Sequence, residues 1–466
     1  MKTKPIKIVA TIGPASHSEE NILELAKAGV DVFRINFSHA TSTEAIERVT
    51  WIRKAEKHLG RPLAIMGDLP GPKIRISEVK PDTILQKGQK FLISKNISEG
   101  DQHGCGLNFP SIIDVLEPGA EVFVDDGTLK LIVDKKMDDA VETIVLVGGL
   151  LKPRKGFSAE GLSLTNHKIS EKDKAAIKLM VEHKTDALAV SFVQSAKDIR
   201  DVRELLPENS QIMLIAKIET ANGVENAEDI LEEADGMMVA RGDLGLAIPI
   251  AKVPHIQKQL IDLCIRKAKP VITATQMLES MISKPIPTRA EVADVANAIL
   301  DGSDAIMLSA ETAEGKFPVE TVEMMVKIIH ESIKYLKPLS FEGKNTISNA
   351  TGASVGAIAD RVEARLVIAF THSGRTARRI ARHRHPQVIV AVSPEMSSVR
   401  KLNFSWGVHP QIIERTKDFE DMLHQAREIA KTNTVEPLEK NDLYVISAGM
   451  PFDQTGTTNM ILVQKV

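Results

Sequence analysis

The chain has 466 residues, with 59 Lys and Arg against 62 Asp and Glu, a formal net charge of −3. That near balance, with 43% hydrophobic and 26% charged residues, excludes a disordered or fibrous chain and shows no basic excess of the kind nucleic-acid binders carry. At about 150 residues per domain the length predicts about three domains, each able to bury a core.

Taken in chain order, apolar β-branched runs occur at Lys7–Ile12, Val32–Phe37, Leu63–Leu69, Ala187–Phe192, Ile212–Ile218, Gly236–Ala240, Val271–Thr275 and Ala305–Ser309. Between most of them lie segments of helical periodicity with start signals. Ser16-His17-Ser18-Glu19 and Thr288-Arg289-Ala290-Glu291 both have the capping-box form, in which two otherwise unpaired donors at a helix start find acceptors. Eight strand–helix units predict an α/β protein, a parallel (β/α)8 TIM barrel.

One long interval, between Asp68-Leu69 and Ala187, breaks the rhythm. It is strand-like at Phe91–Ser94, Glu121–Asp125, Leu129–Val133 and Glu142–Val147, and helical character returns at Ser170–His183. This predicts an inserted small β-barrel lid domain over residues 70–164, set above the barrel mouth where βα loops ring the active face. The barrel itself takes residues 1–69 and 165–340. A linker around Lys337–Ser348 then leads to a C-terminal αβ domain, 341–466, with strands at Leu366–Phe370, Val388–Val392, Leu443–Ser447 and Asn459–Val463.

Only two cysteines occur, Cys105 and Cys264, so neither a disulfide framework nor a Cys-based zinc site is expected. No apolar run reaches the roughly 20 residues that span a bilayer. The stretch after Met1 carries no apolar signal-peptide core. A cytoplasmic protein, working on neither membrane nor nucleic acid, is the expectation.

Catalytic residues of such a barrel lie at the C-terminal ends of its strands. Those ends read Arg34-Ile35-Asn36-Phe37-Ser38, Gly67-Asp68, Ala216-Lys217-Ile218-Glu219, Arg241-Gly242-Asp243, Thr273-Ala274-Thr275-Gln276 and Ser309-Ala310-Glu311-Thr312. Taken singly each has an ordinary explanation: Lys217 and Glu219 an ion pair, Arg241-Gly242-Asp243 a turn, Asp68 a turn start, Thr275 a strand residue. Their concentration at one end of one barrel argues for chemistry, because charges there are costly unless paired or on a metal. Glu219 and Asp243 are hard oxygen ligands suited to Mg²⁺. Arg34 offers a planar fork for phosphate, and Lys217 a compact charge for a moving phosphoryl group. Backbone N–H groups at Gly242 and Asp243, opening a helix, would receive a carboxylate.

The sequence resembles the pyruvate kinase family along essentially its whole length. The resemblance rests on Lys7-Ile8-Val9-Ala10-Thr11-Ile12-Gly13-Pro14-Ala15-Ser16, on Ala274–Met281 continuing through Pro287–Glu291, on Arg34–His39, on Met307–Thr312, and on Gly456-Thr457-Thr458-Asn459. It implies phosphoryl transfer from phosphoenolpyruvate to ADP, giving ATP and pyruvate. It further implies Glu219 and Asp243 as Mg²⁺ ligands, Lys217 on the transferring phosphoryl group, and Arg34 and Arg75 on phosphates. Gly242, Asp243 and Thr275 would bind substrate, Thr275 near the enolate where it orders the water that delivers a proton. Pro14, His39, Arg75 and Lys155 match nucleotide-side positions. Two Mg²⁺ per site are implied, one arriving with the nucleotide.

Members requiring K⁺ carry Thr-Lys-Gly-Pro-Glu after the third-strand Asp, whereas this chain has Leu69-Pro70-Gly71-Pro72-Lys73. It therefore resembles the K⁺-independent subgroup, with the Lys73 ammonium standing in for K⁺. Asn36, Ser38, Asp68 and Leu69 remain at the K⁺-site positions. In the insert, Arg154-Lys155-Gly156-Phe157-Ser158 keeps the start of the family motif and loses its sequel, and Ala310 replaces a Gly.

Phe370-Thr371-His372-Ser373-Gly374-Arg375-Thr376 runs from a predicted strand into a helix and has the form of a phosphate cradle. It resembles the family's effector loop. Thr371, Ser373, Gly374, Arg375 and Thr376 are the candidates for a sugar phosphate or AMP, with Asp453–Thr457 closing over the far end. The family resemblance also implies a homotetramer. Two rivals remain: a metal-dependent aldolase or lyase on the same barrel, for which Lys217 and Arg34 together have no use, and a non-enzymatic metabolite sensor, which would not need the intact set.

Overall fold

The computed structural model describes residues 4–159, 169–340, 346–451 and 458–466. Its centre is a closed barrel of eight parallel strands: Lys7–Ile12, Val32–Asn36, Ala64–Asp68, Ala187–Val190, Met213–Ile218, Gly236–Ala240, Val271–Ala274 and Ala305–Leu308. Each strand pairs with its predecessor in the barrel, and the last pairs with the first, Lys7 opposite Ala305. The strands are buried on both faces, which is why they read as near-continuous apolar runs. Val9, Val32, Met66, Ile215, Met238 and Met307 fill the interior, while alternate neighbours such as Ile8, Ala10 and Ile12 pack outward against the helices. The fourth and seventh strands stop before their predicted ends because Phe192 and Thr275 turn to positive φ, 55° and 69°, outside the β region.

The helix starts follow local chemistry, with one correction. Thr288 and Glu291 form the predicted capping box, and Ser170 forms one with Asp173. The box predicted at Ser16–Glu19 does not form. Ser18 is the cap, accepting from the Asn21 N–H at 3.1 Å, while buried Ser16 turns inward and its Oγ accepts from the Gly13 N–H at 3.2 Å.

The insert has its own apolar core around Val122, Leu131, Val141 and Phe157. Its six-stranded sheet runs Phe157–Ala159, Glu121–Val124, Leu129–Lys136, Ala140–Val147, Lys90–Ser94, Gly104–Cys105 in spatial order. In its strand pairing this sheet is open, where the sequence reading has a small β barrel; the two outermost strands have 3 and 2 residues, too few to close it. Phe157–Ala159 packs on the helix Arg241–Ala247, which seats the insert at the end of the barrel where its strands finish.

The C-terminal sheet has five strands in the order Val408–Ile412, Val388–Ser393, Leu366–Phe370, Leu443–Gly449, Thr458–Lys465, the last antiparallel. Val408–Ile412 escapes the sequence reading because it contains Pro410, which an edge strand tolerates. This domain docks at the opposite end of the barrel, on the strand starts. Phe404 joins the barrel's interior cluster, Lys7 Nζ donates to the Val408 carbonyl at 2.6 Å, Arg384 pairs with Asp304 at 3.2 Å, and Arg400 grips both oxygens of Glu56 at 2.9 and 2.6 Å. The end where the strands finish is thereby left to the insert.

Candidate active site

Four charged side chains from three strand ends meet in one buried cluster. Arg34, at the end of the second strand, donates through Nε to Asp68 Oδ2 at 2.6 Å and through Nη1 to Thr11 Oγ1 at 2.9 Å. Asp68, at the end of the third strand, is 1% exposed. Its other oxygen lies 3.1 Å from Lys217 Nζ, which also reaches Ser191 Oγ at 2.7 Å and Glu219 Oε1 at 3.0 Å. Glu219 completes its shell by accepting from the Phe192 N–H at 2.7 Å. Two cations thus balance two carboxylates, the condition under which charges survive burial.

The electrostatics follow from that balance. Burial alone would raise the Asp68 carboxyl, yet Arg34 and Lys217 outweigh it and hold it below the usual carboxylate range. Burial alone would lower the Lys217 ammonium, but Asp68 and Glu219 together keep it raised and therefore charged. Glu219 is pushed up, first by burial, against the pull of Lys217, and further by the like charge of Asp243.

Asp243 lies on the first turn of the short helix Arg241–Ala247 that follows the sixth strand. Together with Glu219, Lys73, Asp126, Phe157 and Thr220 it lines a cleft between insert and barrel. Two carboxylates that repel one another on one cleft wall fit a divalent cation. Among the described residues no group of three or more His, Cys, Asp or Glu side chains forms a ready cage. Such a cation would draw its remaining ligands from substrate oxygens and water, as Mg²⁺ commonly does.

Thr275 stands across from Asp243's helix. Its Oγ1 accepts from the Gly242 N–H at 2.8 Å and donates to the Ala274 carbonyl at 2.6 Å. The Gly242 N–H, expected to face an anion, is therefore engaged with Thr275. Lys73 Nζ lies 3.7 Å from Asp243 Oδ1 and 3.9 Å from Asp126 Oδ1, so its ion pairs are on the Asp243 side of the cleft. At the K⁺-site positions, Asn36 Oδ1 accepts from the Ser38 N–H at 3.0 Å, Lys172 Nζ donates to the Ser38 carbonyl at 3.1 Å, and Asp68 is taken by Arg34 and Lys217. Leu69 is buried, its N–H bonded to the Ala189 carbonyl at 3.0 Å.

The nucleotide-side candidates sit at the rim. Pro14, His39 and Arg75 are exposed. Arg75 Nη1 donates to the Arg154 carbonyl at 2.9 Å, and Lys155 pairs with Asp125 at 2.9 Å, so both belong to the base of the insert. In the C-terminal domain Thr371 Oγ1 accepts from the Gly374 N–H at 3.0 Å, and Gly374 takes φ 81°. Ser373 is half-buried and Arg375 exposed. Thr376 is buried with its hydroxyl on Thr458 at 2.8 Å, so it points into the domain. The loop Asp453–Thr457 lies outside the described residues.

Sequence reasoning missed Thr11 and Ser191, and it quoted Arg241 in a strand-end motif without giving it a role. Thr11 and Ser191 are neutral hydroxyls at the first and fourth strand ends, the two ends that the sequence reading did not single out. Applying the strand-end rule to all eight ends would have found them. Gly71, with φ 64°, lets the chain leave for the insert close above Ser191, where a Cβ would come within 2.8 Å of the Ser191 Cβ.

Residues 3–322 match the barrel domain of pyruvate kinase, and residues 349–464 match the pyruvate kinase alpha/beta domain. The chain is similar to the pyruvate kinase of Geobacillus stearothermophilus, 42% identical over 478 residues that cover 100% of this chain and 81% of the relative. It is similar to that of Methylorubrum extorquens, 39% identical over 469 residues covering 99% and 97%, and to that of Staphylococcus aureus strain MRSA252, 40% identical over 471 residues covering 99% and 80%. With both portions matched and relatives about 40% identical along the whole chain, the chain belongs to the pyruvate kinase family, phosphotransferases that move the phosphoryl group of phosphoenolpyruvate to ADP.

Proposed function

We propose that the cluster of Arg34, Asp68, Lys217, Glu219, Asp243 and Thr275 is the phosphoryl-transfer site. The observation that carries this reading is that Glu219 and Asp243 share one cleft wall while the Lys217 ammonium stands 3.0 Å from Glu219. Family membership implies a divalent metal, and Glu219 and Asp243 are the residues that would hold it. When bound it supplies positive charge to substrate oxygens. Phosphoryl transfer asks mainly for in-line positioning and charge neutralisation. Lys217 and Arg34 provide that charge from fixed positions, each oriented by Asp68, and Thr11 and Ser191 set their rotamers. Thr275 orders the water that protonates the enolate carbon. The insert, seated on Arg241–Ala247, keeps other water out.

The finer assignments belong to the same proposal. Two Mg²⁺ serve each site, one entering with the nucleotide, which is met by Pro14, His39, Arg75 and Lys155. K⁺ is not required, because Lys73 brings a positive charge to the cleft. Thr371, Ser373, Gly374 and Arg375 bind the phosphate of an activator, a sugar phosphate or AMP, that favours the active arrangement of a homotetramer, with Thr376 holding the loop from behind through Thr458. The three domains take residues 1–69 with 165–340, 70–164, and 341–466. The free, buried Cys105 and Cys264 suit a reducing cytoplasm. No helix among the described residues is long and apolar enough to cross a membrane.

A steady-state assay for pyruvate from phosphoenolpyruvate, ADP and Mg²⁺, with and without KCl and then with sugar phosphates and AMP, tests this reading. Turnover is expected without KCl. Folded protein that makes no pyruvate under any of these conditions would turn the reading toward a lyase or a sensor.

A further inference from the structure

Thr275 and Gln276 both take positive φ, 69° and 56°, a conformation that costs a β-branched residue energy and persists only where its surroundings hold it. The hold comes from one side chain. Arg241, at the end of the neighbouring sixth strand, donates through Nη2 to the Thr275 carbonyl at 2.7 Å and the Gln276 carbonyl at 3.2 Å. Its other arm pairs with Asp294 Oδ1 at 2.7 Å, on the helix Arg289–Leu300. The Arg241 side chain is 10% exposed and Asp294 37%. The next residue, Gly242, gives its N–H to Thr275 Oγ1 at 2.8 Å. Two consecutive residues of one strand end thus fix the backbone and the hydroxyl of Thr275.

We propose that Arg241, anchored by Asp294, is a positioning residue whose task is to keep the Thr275 hydroxyl where the proton-delivery step needs it. The proposal rests on the reading of Thr275 given above. In that step the enolate left by phosphoryl transfer takes a proton onto C3. The enolate electron pair becomes the new C–H bond, its oxygen becomes the carbonyl of pyruvate, and the hydroxide left from the water is neutralised by solvent. Arg241 acts through Thr275, since it bonds to backbone carbonyls, Met277 and Asp294 rather than to the hydroxyl itself. With its fork gone, the turn relaxes toward negative φ and the hydroxyl swings away, and a displacement of about 1 Å at such a position costs about 100-fold in rate.

The reverse step gives a direct readout, exchange of pyruvate C3 protons in D₂O with Mg²⁺ and ATP, followed by proton NMR beside kcat and KM for phosphoenolpyruvate. Arg241→Met is expected to lower exchange and kcat together by about 100-fold while KM stays near wild type. Arg241→Lys, able to keep one carbonyl contact, should fall between. The double variant Arg241→Met/Thr275→Val should be no slower than Thr275→Val alone, since both act through one hydroxyl. Should Arg241→Met be poorly folded, Asp294→Asn removes only the anchor and should shift exchange in the same direction, less steeply. Wild-type exchange in Arg241→Met, or losses that multiply in the double variant, would overturn the role of Arg241 and leave Thr275 untouched. Wild-type exchange in Thr275→Val would instead remove the reading of Thr275 on which the proposal stands.

Discussion

Lys73 Nζ and Asp243 Oδ1 are 3.7 Å apart, bridging the segment that leads into the insert to the helix that follows the sixth barrel strand. The same ammonium lies 3.9 Å from Asp126 of the insert. A positive charge is therefore built into the cleft wall beside a carboxylate proposed to hold metal, and it lies within ion-pair distance of both the insert and the barrel helix.

From this position Lys73 is expected to make K⁺ dispensable. Turnover with Mg²⁺ and tetramethylammonium chloride should match turnover with KCl. Lys73→Glu, which turns the fixed cation into an anion, should lose about 100-fold without K⁺ and recover with it, the scale seen when one fixed charge donor is removed from a site. Turnover of the parent protein only in KCl would return the cation role to Asn36, Ser38 and Asp68 and leave Lys73 a half-exposed lysine.

Lys217 gives a second prediction, sharpened by its neighbours. It contacts Asp68, Ser191 and Glu219 at once, so Lys217→Ala removes both the cation proposed for the phosphoryl group and the counter-charge of a buried pair. Phosphoryl transfer should fall by about 1,000-fold. Stability should also fall, by about 3–5 kcal/mol, because two buried carboxylates are left with one cation, Arg34. Urea unfolding should show the loss of stability, and adding Asp68→Asn to Lys217→Ala should restore much of it without restoring turnover. An Ala variant as stable as the parent would mean the cluster is more hydrated than its burial implies.

The proposed effector loop is tested by Thr371→Ala/Ser373→Ala/Arg375→Ala. Thr376 is left alone, since its hydroxyl is spent on Thr458 inside the domain. The triple variant should show no activation by sugar phosphates or AMP, and calorimetry should show no binding of the activator that works on the parent, while turnover at saturating phosphoenolpyruvate persists. Removing the Thr371 cap of Gly374 should cost about 1 kcal/mol, too little to unfold the domain. An unchanged activation curve would exclude this loop.

How far the sequence carried these conclusions differs from residue to residue. The eight strands were legible because both their faces are buried and continuous apolar runs result. Arg34, Asp68, Lys217, Glu219 and Asp243 were legible because charge at a barrel strand end has few structural uses, and Thr275 through the family motif in which it stands. Thr11 and Ser191 carry no charge and look like any strand hydroxyl, so only the fold shows them orienting Arg34 and Lys217. The pairing of Arg241 with Asp294 spans 53 residues and cannot be read from local pattern. Ser16 shows the limit of motifs: it satisfies the capping-box spacing, yet the helix begins at Glu19, because Ser16 is drawn inward by the Gly13 amide. The strand Val408–Ile412 was hidden by Pro410, which propensity counts against a strand and an edge position permits.

The last prediction concerns acid stability at the junction of barrel and C-terminal domain. Burial pushes the His383 imidazole down to about 4, and its ring nitrogen Nδ1 sits 3.2 Å from the Leu339 carbonyl on the linker. Burial likewise pushes His409 down to about 3, with Lys7 adding to the shift. A histidine with a lower pKa folded than unfolded is neutral in the native state and charged in the unfolded one once pH falls below about 6.5. The unfolded state then binds more protons, so stability is full above pH 6.5 and is lost as pH falls toward 4 for His383 and toward 3 for His409. Thermal unfolding of the parent should therefore shift downward across that window. His383→Gln, which keeps a donor for Leu339 and cannot titrate, should flatten the upper part of the decline, between pH 6.5 and about 4. An identical pH profile in the Gln variant would show that the acid sensitivity arises from the carboxylates rather than from this buried ring.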